Sequence, residues 1–150
     1  MTPGAMRVAS ALLVVGLCCA AGCDLTPTAA PTQSIERQRS LWEAHHLTRY
    51  AYVYETTGFF ISTSGRPIRL VVLNDTVVSA QDVATDSVLT MPSEFPTMDA
   101  LFDRAIAAAA GGTLEAITYD TTFGYPSRMD LVGPADGSGS ILASSLELLP

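Results

Sequence analysis

The sequence predicts an α+β domain in which an antiparallel sheet of about five to six strands carries two helices on one face. Three observations predict it: strict side-chain alternation over Arg49 to Thr57, a Val/Ile/Leu-rich pair of runs split by Asn74-Asp75, and a capped helical pattern opening at Thr97. The order is helix, three strands, helix, three strands. Each helix must bury one apolar face, and the sheet is the only large partner for it.

The first helix is expected from Ser34, whose hydroxyl can cap it, with Glu36 in the first turn and Leu41, Trp42 and His45 along its length. A strand follows, with Tyr50, Tyr52 and Tyr54 on one face and Ala51, Val53 and Glu55 on the other. Gly58 closes it, and Phe59 to Ser62 can extend it past a bulge. Pro67 to Leu73 and Thr76 to Ala80 read as a hairpin, because Asn and Asp tolerate the positive φ that a two-residue turn demands. A polar loop covers Gln81 to Pro96. The second helix combines Thr97 as cap, Asp99 in the first turn, Met98, Leu101, Phe102, Ala105, Ile106 and Ala109 at helical spacing, and Gly111-Gly112 as terminator. Leu114 to Tyr119 and Ser127 to Val132 form another hairpin around Asp120 to Pro126, and Ile141 to Leu148 adds the last strand.

The amino-terminal segment carries different information. Arg7 precedes fifteen mostly apolar or small residues, Val8 to Gly22, in the layout of a signal peptide. A spanning helix needs about 20 apolar residues, and Asp24 and Pro27 cut this run short. Met6, directly before Arg7, is an alternative start to Met1. Ala20-Ala21-Gly22-Cys23 resembles the lipobox of bacterial lipoproteins, in which small residues precede a cysteine whose thiol accepts diacylglycerol. Cys18 and Cys19 sit in the middle of the apolar run, so Cys23 is the better acceptor. The expected division is therefore a leader over 1–22, a lipidated cysteine with an extended Pro/Thr tether over 23–33, and a single domain over 34–150. The competing readings are an ordinary secretory leader and a membrane span. On the lipid reading each buried methylene contributes ~0.8 kcal/mol, so two or three chains hold the protein on a membrane of the cell envelope, on the exported side.

Composition narrows the function classes. The chain has eight Arg, no Lys and fifteen Asp and Glu, for a net charge of −7, and removing the leader takes away only Arg7. Such a surface repels phosphate backbones, so nucleic acid is not an expected partner. All three cysteines fall at or before Cys23, which leaves the domain without disulfides or thiolate metal ligands.

Several segments resemble one family of bacterial lipoproteins, number 6174 in the domain-of-unknown-function series: Trp42 ahead of Tyr50-Ala-Tyr-Val-Tyr54, Pro67 to Val78, Thr97-Met-Asp-Ala-Leu-Phe-Asp103 and Ile117 to Arg128. The run from Asp120 through Gly124-Tyr-Pro126 is the most specific of these. Where relatives carry a Cys-x-Cys-like pair after the tyrosine strand, this chain has Gly58-Phe-Phe-Ile61, so a redox or metal role for that pair does not transfer. The resemblance implies the fold and the anchor and no activity.

Chemistry-bearing residues have plain structural alternatives. His45 and His46, adjacent on the expected helix, point about 100° apart and cannot join one metal site unaided. No Gly-x-Ser-x-Gly elbow occurs, and Gly137-Ser-Gly-Ser140 reads as loop. Gly58, Gly65, Gly111 and Gly112 read as turn or cap residues, and a P-loop needs a lysine. Glu55, Asp120 and Asp130 are candidate acid/base carboxylates if they meet in space, while Asp120 at the head of a turn also suits backbone capping. The stripe of Tyr50, Tyr52 and Tyr54, with Tyr119 and Tyr125, suits either ligand contact or packing under a helix. The expectation is a non-enzymatic, cofactor-free envelope domain that binds or scaffolds a partner protein through its sheet. The alternative is a small envelope enzyme using loop carboxylates.

Overall fold

In the computed structural model, residues 31–58, 64–133 and 137–150 are described. The expected leader, Cys18, Cys19, Cys23, most of the tether and the Phe59 to Ser62 extension lie outside these residues. Helix α1 spans Pro31–Glu43 and α2 spans Met98–Ala110. The strands are β1 (Arg49–Gly58), β2 (Ile68–Leu73), β3 (Thr76–Asp82), β4 (Leu114–Tyr119), β5 (Pro126–Val132) and β6 (Ser138–Leu148). A short 3-10 turn occupies Pro92–Glu94. All six strands form one antiparallel sheet in the order β3-β2-β1-β6-β5-β4, an α+β architecture as expected.

Local signals account for most elements. Asn74 and Asp75 both take positive φ, 49° and 55°, as a primed two-residue turn requires, and β2 and β3 pair on either side. The Thr97 hydroxyl accepts from the Ala100 amide at 3.3 Å, which caps α2 as its sequence predicts. At the other end, Gly111 donates to Ala107 O and Gly112 to Ala109 O.

Both helices lie on the face that Tyr50, Tyr52 and Tyr54 present. Ile35 and Trp42 of α1 and Met98, Leu101, Phe102 and Ala105 of α2 join the tyrosines, Ile68, Leu70, Val72, Met129 and Ile141 in one buried cluster. The tyrosines also fasten the chain leading into α2. Tyr54 stacks edge-on against Phe95 with ring centroids 6.1 Å apart, Tyr52 donates its hydroxyl to Pro96 O, and the Met98 amide donates to the Tyr50 hydroxyl at 3.1 Å. The last bond satisfies one of the amides that a helix start leaves without an internal partner. Burial pushes all three phenols up from their ordinary pKa. The stripe is thus interior structure rather than a ligand platform.

The opposite face has no helix over it among the described residues. An ion pair between Arg69 of β2 and Glu147 of β6, at 2.6 Å, spans β1, whose Ala51 beneath it is 1% exposed. Gly58 stands opposite Gly139 at the end of the β1–β6 ladder, and a Cβ at Gly58 would sit 2.1 Å from Ser138 O.

Three sequence expectations are corrected. Helix α1 begins at Pro31, a turn before Ser34, because proline is pre-organised for the first helical position; Pro31 to Gln33 are helical rather than tether, and Glu36 is not in the first turn. It ends at Glu43, so His45 and His46 follow the helix, and His46 takes φ 51° in the reversal to β1. The last strand begins at Ser138 rather than Ile141, since the small side chains of Ser138-Gly-Ser140 fit beside β1 and β5.

Candidate functional site

The edges of the sheet differ. At one edge, β3 is followed by a loop that folds back on it: Leu89 donates to Ala80 O at 2.8 Å, Asp82 N to Ser87 O at 3.0 Å, and Gln81 bridges to Val88. Asp82 organises that loop. Its carboxylate accepts from Arg66 Nη2 (2.5 Å), Ala84 N (2.9 Å) and Thr85 N (3.1 Å), and the Arg66 guanidinium leads in holding its pKa below the usual carboxylate value. The other edge, β4, pairs with β5 on one side, and no described strand pairs with its outer side.

Beside the carboxyl end of β4 lies a groove of about 750 Å³. One wall is Gln38 and Leu41 of α1 with Ala44 and His45 just after it; the other is the end of β4 and the β4–β5 turn, Thr118 to Gly124. The turn is built by its first residue. Asp120 accepts from the amides of Thr122 (2.9 Å) and Phe123 (2.7 Å), and its own amide donates to Tyr125 O at 2.8 Å. Gly124 takes φ +78° and comes so close to α1 that a Cβ there would stand 3.2 Å from Gln38 Oε1. Tyr125 then packs edge-on against Trp42, which fixes the spacing of the two walls.

Inside the groove, the His45 ring stands edge-on to Phe123 at 5.1 Å. Leu41 is 52% exposed beside it. The Tyr119 hydroxyl is enclosed and has no hydrogen-bond partner among the described residues, and burial raises its pKa. The lining surface is mainly apolar, and its polar groups include Gln38, the threonines of the turn and the carboxylate of Asp120.

A second, smaller hollow of about 360 Å³ lies on the uncovered face beside Glu115, Arg128, Asp130 and Ser140. Arg128 Nε donates to Asp130 Oδ1 at 2.9 Å, Arg128 Nη2 to Ser140 Oγ at 3.0 Å, and Ser140 Oγ to Asp130 Oδ1 at 2.6 Å. The guanidinium and the serine hydroxyl hold the Asp130 carboxyl below its ordinary pKa, which makes it a weak base toward Ser140.

The three carboxylates nominated from the sequence are not brought together. Glu55 pairs in register with Leu142, and Asp130 with Ser140, a strand further across the sheet and two residues along it. Asp120 lies past the end of β4, committed to its turn. His45 belongs to the groove wall, and among the described residues no group of three His, Cys, Asp or Glu side chains could hold a metal ion. Sequence reading placed Leu41 and Trp42 on the first helix without assigning Leu41 to the groove. Adjacent helical residues diverge by about 100°, which is the signal that Leu41 faces elsewhere.

Residues 34–134 match the model of a family of unknown function, DUF6174. The chain belongs to this family. The DUF6174 match takes in all of β1 to β5, α2 and the β4–β5 turn, so the groove is made of family-domain residues. No curated protein matches the chain.

Proposed function

We infer that this chain is an envelope lipoprotein whose leader is removed before Cys23, with lipid on that thiol holding it to a membrane, and that its domain binds a partner protein without catalysis. The single observation that carries the binding half is the outer side of β4, a row of backbone donors and acceptors with no partner strand among the described residues. The enzyme alternative finds no matching support, since Glu55, Asp120 and Asp130 stand apart. The anchor half rests on the run ending Ala20-Ala21-Gly22-Cys23. Among the described residues no helix is long and apolar enough to cross a membrane.

Two measurements test the two halves. Cys23→Ser should abolish acylation, seen by mass, and release the protein from the membrane fraction; unchanged mass and partitioning refute the anchor. Pulldown from detergent-solubilised envelopes through a carboxy-terminal tag should recover a specific partner. Recovery of none refutes the binding reading.

A further inference from the structure

We propose that the outer edge of β4 and the groove beside it form one binding site for an extended peptide segment of a partner protein, anchored by an uncharged, apolar side chain. The segment adds as a strand to β4 and inserts one apolar side chain between α1 and the β4–β5 turn. This rests on the binding reading above and says where and how that binding occurs.

The argument begins with the difference between the edges. The loop after Asp82 folds back along β3, tied to Ala80 and Gln81, whereas no described segment does so along β4. Edge strands are usually blunted by proline, inward charge or a covering loop. Leu114 to Tyr119 contains no proline, and Glu115 is its only ionisable group apart from the phenol of Tyr119. Strand addition takes its affinity from main-chain hydrogen bonds and its specificity from pockets that receive alternate side chains. The groove supplies such a pocket at the right place. Ile117 stands opposite the buried Met129, so Ile117 and Tyr119 point to the helix side of the sheet. A residue of an added strand beside Tyr119 points the same way, into the space between Leu41, Ala44 and Phe123.

The walls also define the occupant. No arginine lines the groove, its one carboxylate, Asp120, already accepts two turn amides, and the His45 ring is turned to Phe123, so the walls favour an apolar side chain over a charged one. A Leu, Met or Phe side chain fits the apolar wall. Outside the groove, Glu115 favours a basic residue facing it across the edge.

The test pans a random-sequence peptide library displayed on phage against the full-length, detergent-solubilised protein. Enriched peptides should share a central apolar or aromatic residue in an alternating extended pattern. On binding they should slow amide hydrogen exchange in residues 114–119. Ala44→Trp, at an exposed position, fills the groove and should weaken the selected peptide about tenfold or more. Leu41→Asp gives the same outcome from the opposite chemistry, and both variants should melt within a few degrees of the parent. No enrichment, protection centred on β3 or the uncovered face, or unchanged affinity in both variants overturns the proposal. Envelope pulldown with parent and Ala44→Trp separates the two inferences. A partner kept equally by both overturns the groove and leaves binding standing, whereas no partner with either removes binding while the peptide result still judges the groove.

Discussion

Replacing Gly58 and Gly65 separately by alanine isolates the energetic weight of a close strand contact. Both residues have positive φ, +81° and +70°, so both substitutions carry the same backbone penalty of roughly 1–2 kcal/mol for an L residue in the left-handed region. They differ in space. Nothing lies within 4 Å of a Cβ at Gly65, while one at Gly58 meets Ser138 O at 2.1 Å and Gly139 Cα at 2.7 Å. These are backbone atoms of β6 and cannot swing aside, so β1 and β6 must part at that end. Overpacking of this kind typically adds about 1–3 kcal/mol. Gly58→Ala is therefore expected to cost about 4 kcal/mol and Gly65→Ala about 1.5 kcal/mol. For a domain of this size 1 kcal/mol moves the melting midpoint by roughly 4 °C, so the two variants should melt about 10 °C apart by circular dichroism. Equal losses would refute the reasoning, because they would mean that the Gly58 contact carries no energy beyond its φ.

Three other substitutions test the groove and the helix contact. Tyr119→Phe removes an enclosed hydroxyl with no partner and should leave thermal stability unchanged or raise it by up to about 1 kcal/mol; a loss of more than about 1 kcal/mol shows that the hydroxyl is paired in solution. Asp120→Ala deletes the acceptor of two turn amides and should cost about 1 kcal/mol by urea titration, with faster amide exchange at Thr122 and Phe123; unchanged exchange there refutes the capping role. Asp99 is held above its ordinary pKa, first by burial and then by the nearby Asp75 charge, with hydrogen bonding from Trp42 and the Arg39 charge opposing the shift. The folded state thus binds the Asp99 proton more tightly than the unfolded chain, and stability from this group falls as pH rises from the ordinary carboxylate value through the raised one. Asp99→Asn should be more stable than the parent at pH 7 and no more stable at pH 3; the opposite order contradicts the sign.

Elements written in short-range chemistry were legible in the sequence. The cap at Thr97, the stop at Gly111-Gly112, the turn at Asn74-Asp75 and the alternation of Tyr50, Tyr52 and Tyr54 each act within a few residues, and each appears in the fold. Pairing between distant segments was not. β1 lies against β6, with Tyr50 opposite Leu148, and nothing local in either run specifies the other. The end errors have local causes: Pro31 to Gln33 carry no apolar periodicity, so the first turn of α1 looks like tether, and the glycine and serines of 137–140 look like loop until β1 and β5 lie on either side. The groove was hidden for a related reason. Its walls come from segments some eighty residues apart, and only Asp120 and Gly124, as turn formers, announce themselves.

Arg39 reaches from α1 to Asp103 of α2 at 2.6 Å and to Asp99 at 3.8 Å, while the helix itself buries only Ile35 and Trp42 deeply. Helix α1 is therefore clipped onto the domain rather than woven into the sheet. A pull delivered at Pro31 meets these few contacts before it meets any strand hydrogen bond. Loaded from that end, α1 should lift first, uncovering Tyr50 and Tyr125 and taking one wall of the groove with it, while the ladder between β1 and β6 still holds. Mechanical tension along the amino-terminal chain and occupancy of the groove would then oppose each other.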